Sequence, residues 1–143
     1  MPIVVDKSKV MEFILNQVER KSTLPEKELI LMIMALEHLR NDEQMKTTIN
    51  IGVGVAACAL TSIFVSMSNP IVFAGGITVA IAACVKAFKR HGINKHLKKI
   101  SEILSGEMLS RYDDVLTAYF MTAQLIQSIE TDDLLDFFER CQK

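Results

Sequence analysis

Three histidines, three cysteines and seventeen carboxylates are the side chains of this 143-residue sequence that could carry chemistry. His38, His91 and His96 stand apart from any Cys, Asp or Glu grouping with metal-ligand spacing. No H-E-x-x-H motif, Ser/His/Asp set or paired-carboxylate signature accompanies them. Cys58, Cys84 and Cys141 form neither a metal-ligand spacing nor an even disulfide set, so they read as small buried thiols of a reducing compartment. Gly52, Gly54 and Ala57 satisfy a G-x-G-x-x-A pattern. That fingerprint grips a dinucleotide only between a strand and a helix with an acid about twenty residues later, and the next acid here is Glu102. The expectation is a chain without catalytic residues, bound metal or cofactor.

The chemistry that the residue pattern does support is interfacial. The overall charge of -1 hides a segregation: residues 1–46 carry -1, 47–85 carry no charge, 86–101 carry +6 and 102–143 carry -6. The uncharged block is 39 residues long and is interrupted by Ser68, Asn69 and Pro70, which is turn chemistry. Each half approaches the ~20 residues that cross a hydrocarbon core ~30 Å thick. The tip is uncharged, so its transfer through lipid avoids the ~2.5 to 3.5 kcal/mol assigned to a Lys or Asp at the membrane centre. Lys86, Lys89, Arg90, Lys95, Lys98 and Lys99 follow at once, a basic collar suited to anionic lipid headgroups. Nucleic-acid phosphate is the weaker reading, because Phe88 is the one aromatic in the run and no recognition motif surrounds it. A topology signal without a partner is the plain alternative.

Elements that could position this collar follow from apolar spacing. Val10, Met11, Ile14, Leu15 and Val18 set out an amphipathic helix over 7–21. Thr23 and Glu26 have capping-box spacing around Pro25, so a second helix is expected to run to about Met45. Its centre, Leu29 to Leu36, is apolar on every side and must be wrapped by protein or touch lipid. Two crossings are expected at about 47–67 and 70–88, then a basic amphipathic helix through Ile93, Leu97, Ile100 and Leu104. Ser105 and Gly106 break the pattern before a water-compatible helix over 107–129, and Thr131 caps a last short helix.

Within the first crossing Asn50, Gly54, Cys58, Ser62 and Ser66 recur four residues apart; Gly76, Ala80 and Cys84 repeat the spacing in the second. Small residues at that interval let helix backbones approach closely inside lipid, where the hydrophobic effect gives no help. The ridge serves either oligomerisation around an aqueous path or packing of the two crossings within one chain.

The fold expected is therefore all-α, a single domain of about seven helices: an N-terminal helical arm over 1–46, a hydrophobic hairpin over 47–88, and a basic helix with acidic C-terminal helices over 89–143. This layout resembles the hydrophobic hairpin wrapped by amphipathic helices in pore-forming colicin domains, over the central forty residues. The function expected is a non-enzymatic change of membrane permeability, as in toxins, holin-like lysis proteins or defence effectors, with both termini cytoplasmic by the positive-inside rule. An anionic bilayer is the expected partner. Homo-oligomers, or a protein bound through the N- or C-terminal helices, are the other partners considered; nucleic acid is not expected. The alternative is an interaction or adaptor protein, either anchored by the hairpin or a cytoplasmic bundle that buries it. In a soluble form the acidic segment 102–143 is a candidate to fold against the basic collar and to release it on insertion, the plain alternative being a solvated helical face.

Overall fold

A computed structural model describes residues 2–20, 24–40, 42, 44–50, 76–88 and 93–143. Among these residues the order is β1 (Pro2–Asp6), α1 (Lys7–Arg20), α2 (Glu26–Leu39), β2 (Lys46–Asn50), α3 (Gly76–Phe88), α4 (Ile93–Ser110), α5 (Val115–Ser128) and α6 (Thr131–Gln142). Among the described residues the protein is all-α apart from one antiparallel ribbon.

α2 is the centre of the core. Its nine buried residues include every position from Leu29 to Leu36, and its neighbours are α4, α5, α6 and β2. The all-round apolar stretch is thus wrapped by protein. Its charged residues sit at the ends: Glu28 pairs with Arg140 of α6 at 3.2 Å, Lys27 with Asp133 at 3.5 Å, and Glu37 with Arg40 at 3.1 Å. Phe137 and Phe138 of α6 are fully buried; Phe137 meets Phe13 of α1 edge-on at 5.5 Å, with Arg140 over both rings at 5.6 Å. These contacts tie the last helix to the first two.

The second helix stops at Leu39, short of the expected Met45, because the chain is turned by Asp42. Its carboxylate accepts from the Gln44 amide at 2.9 Å and from the Thr47 hydroxyl. The Thr47 hydroxyl, with that amide, holds the Asp42 carboxyl below its usual range. Lys7, fully buried at the start of α1, donates its ammonium to the Asp42 carbonyl oxygen, and its amide donates to Met45 O at 3.0 Å. The turn delivers Lys46–Asn50 as a strand against Pro2–Asp6, with Val5 opposite Thr47 and Ile3 opposite Ile49. Both segments are rich in β-branched residues. Val5, Thr47 and Ile49 point inward while Val4 and Thr48 are exposed, the two-residue alternation of a half-buried ribbon. The first expected crossing therefore does not begin at Thr47; residues 47–50 are strand, and 51–67 lie outside the described residues.

Three further boundaries differ from the sequence reading. α4 continues through Ser105 and Gly106 to Ser110, because Ile100, Ile103, Leu104 and Met108 are buried on one continuous face. Ser105 satisfies its hydroxyl on the Ser101 carbonyl at 2.8 Å, and Ser101 donates to Glu37 at 3.1 Å, a polar seam between α4 and α2. Asp114 then starts α5 by accepting from the Thr117 amide at 3.2 Å, so the helix expected from 107 begins at Val115. Glu130, rather than Thr131, caps α6, its amide donating to Asp133 Oδ2 at 2.9 Å.

Ile33 is fully buried whereas Val4 is 66% exposed. Ile33→Ala is expected to lower unfolding free energy by about 2–5 kcal/mol and Val4→Thr by less than about 0.5 kcal/mol, measured by urea unfolding. His38 stands edge-on to Phe138 at 6.5 Å, and burial holds its pKa below the ordinary value. Below pH of about 6.5 the unfolded chain takes up a proton that the native imidazole resists, so this contribution to stability declines as pH falls. Asp42 and Asp133, with lowered carboxyl pKa values, lose their contributions only in more acid solution. Melting temperature is expected to decline between pH 7 and 5, with a smaller slope for His38→Leu.

Candidate functional site

The residues singled out by spacing fall unevenly. Gly54, Cys58, Ser62, Ser66, Lys89 and Arg90 lie outside the described residues. Asn50 is in β2, paired with Pro2, instead of in a helix. The remaining members meet on α3 and α4.

α3 packs between α1 and α4. Its inward side carries Ile81 and Cys84, both buried, while Ala80 is partly buried against the core. Burial pushes the Cys84 thiol pKa up, against the pull of the Lys99 charge from α4. A parallel case is Cys141, whose pKa burial pushes up to about 12. Both are free thiols, as expected from the odd cysteine count, and a protonated buried thiol is a poor nucleophile.

The outward side of α3 carries Gly76, Val79, Ala83 and Lys86, all exposed and three or four residues apart, so they form one line along the helix. Val79 is 58% exposed. Lys95, Lys98 and Lys99 are exposed on the adjoining α4, whose opposite side buries Leu97, Ile100 and Leu104. The arrangement is an apolar line ending in a lysine on α3, with three more exposed lysines on the helix packed against it. Among the described residues none of Lys86, Lys95, Lys98 and Lys99 makes an ion pair. The ion pairs of α6 among the described residues go to Lys27 and Glu28 of α2.

Sequence spacing located the lysines and missed the outward placement of Val79 and Ala83. The signal was present, since Val79, Ala83 and Lys86 share one helix face, but a helix apolar all round does not declare which face its neighbours take. Among the described residues no group of His, Cys, Asp and Glu is arranged to hold a metal ion, and no helix is long and apolar enough to cross a membrane. In comparisons with known proteins, no family model, curated protein or solved structure matches the chain.

Gly76 opens α3 with φ +86°, and among the described residues a Cβ built there meets nothing within 4 Å. The glycine is needed there for its backbone conformation; Gly54, Cys58, Ser62 and Ser66, which the small-residue spacing would set against it, lie outside the described residues. Gly76→Ala is expected to destabilise the protein by about 1–2 kcal/mol in chemical unfolding despite the open space around it.

Proposed function

We propose that the chain is a non-enzymatic membrane-active protein that meets anionic bilayers through the outer line of α3 and the lysines of α4, and brings the uncharged stretch between β2 and α3 to the lipid. One observation carries this reading: 39 residues without a charge end at Lys86, beside exposed Val79 and Ala83 and the unpaired Lys95, Lys98 and Lys99. Apolar side chains bordered by lysines match a headgroup layer, in which the chains enter the acyl boundary and the ammonium groups meet phosphate. Insertion of the uncharged segment would change permeability.

A second reading is favoured by α2. Its all-round apolar stretch is enclosed by α4, α5, α6 and β2, a bundle core that requires no lipid, and the protein would then serve as an interaction module.

Flotation with vesicles of phosphatidylglycerol and phosphatidylcholine, beside vesicles of phosphatidylcholine alone, separates the two. The membrane reading expects binding to the anionic vesicles and release of an entrapped dye. Each lysine near an anionic surface contributes about 1 kcal/mol, so the triple variant Lys95→Gln, Lys98→Gln, Lys99→Gln is expected to partition roughly 100-fold more weakly. Absence of binding to both vesicle types would leave the interaction module; binding without dye release would reduce the proposal to an anchor.

A further inference from the structure

The surface carries a second apolar patch with the opposite electrostatic setting. On α5, Leu116 is 61% exposed, Phe120 58% and Met121 42%. Tyr119 and Phe120 meet edge-on at 5.9 Å. No charge occurs from Val115 to Ser128, and the helix is bounded by exposed Asp113 and Asp114 before it and exposed Glu130 and Asp132 after it. This is an apolar face with an acidic rim. Exposed Val79 and Ala83 run in line with Lys86 on α3, and exposed Lys95, Lys98 and Lys99 lie on α4, which packs against α3, so this apolar line has a basic setting. Both are exposed in the same molecule, so neither covers the other.

We infer that the acidic-rimmed face of α5 in one copy docks on the basic-rimmed face of α3 and α4 in a second copy. Large apolar side chains clustered in water are relieved by burial, and the two rims select opposite partners. They belong to segments of net charge -6 and +6, residues 102–143 and 86–101. A contact of α5 with another α5 would set acid against acid, and a contact between two basic faces would set lysine against lysine. The favoured pairing joins unlike faces and leaves each outer copy with one face unused, so association is head-to-tail and closes into a ring or extends. It proceeds in water and does not rest on the membrane reading, although it uses the same lysines.

Sedimentation velocity of the full chain over a range of concentrations, without lipid, is the test. The expected result is a mass above the monomer at low ionic strength that reverts to monomer near 1 M salt, where the screening length falls to about 3 Å. Phe120→Glu, and separately Lys95→Glu with Lys99→Glu, are each expected to weaken self-association at least ~10-fold. An equimolar mixture of these two variants retains one intact face of each kind and is expected to stop at a dimer. Circular dichroism verifies folding, and Leu116→Glu replaces Phe120→Glu should the latter unfold. A wild-type chain that stays monomeric, a Phe120→Glu variant that still assembles, or a variant mixture that remains monomeric would each overturn the inference. A monomeric wild type whose vesicle binding is lost in Phe120→Glu would also overturn it, assigning the α5 patch to lipid.

Discussion

A helix with no polar side must be given neighbours on every side, and α2 imposes that requirement on the rest of the chain. Leu29 to Leu36 are all buried, so α4, α5, α6 and the β2 strand are arranged around them. The helix is left with polar residues only at its ends, and there it makes directional contacts: Lys27 and Glu28 hold α6, while Glu37 takes the hydroxyl of Ser101 on α4. Nonspecific burial sets which elements surround α2, and these few polar contacts set their register along it. Disturbing the register costs most at Ser101 and Glu37, whose side chains are withdrawn from water, and little at the exposed pair of Lys27 and Asp133.

Enclosure of α2 also decides where α3 can go. With the inner positions occupied, α3 packs on α1 and α4 at the outside and keeps one side free. Exposed apolar residues of α3 and exposed lysines of α4 consequently lie on two helices packed against each other, and among the described residues these lysines make no ion pair. The segregation of charge along the chain survives folding as a segregation in space, since the acidic C-terminal segment spends its ion pairs on α2 and on itself, as in the Arg111 contact with Glu107 at 3.7 Å.

Much of this architecture was legible from residue spacing, and the failures share a physical cause. The amphipathic pattern over 7–21 matches Lys7–Arg20 closely, because one buried stripe of Val10, Met11, Ile14 and Val18 needs no distant information. The ribbon was missed because each strand is five residues long and acquires meaning only when Ile3 meets Ile49 across a long stretch of chain. Ser105 and Gly106 were read as a break by local propensity, which the burial of the flanking Ile103, Leu104 and Met108 overrides. At the candidate site, the lysines were legible as charges, and their exposure followed from the apolar stripe opposite them. The outward side of α3 was not legible, since only its packing against α1 and α4 distinguishes Val79 from Ile81.

The ribbon also has a mechanical meaning. Its pairs run from Lys46 beside Asp6, close to the Lys7 and Asp42 clip, to Asn50 beside Pro2 at the far end. Tension transmitted backward along the chain to Asn50 loads these pairs in sequence from the far end, as in unzipping, and not all together as in shear. The clip is the last element to feel the load, and because Thr47 and Ile49 are buried, peeling of β2 would open the side of α2 that the strand covers.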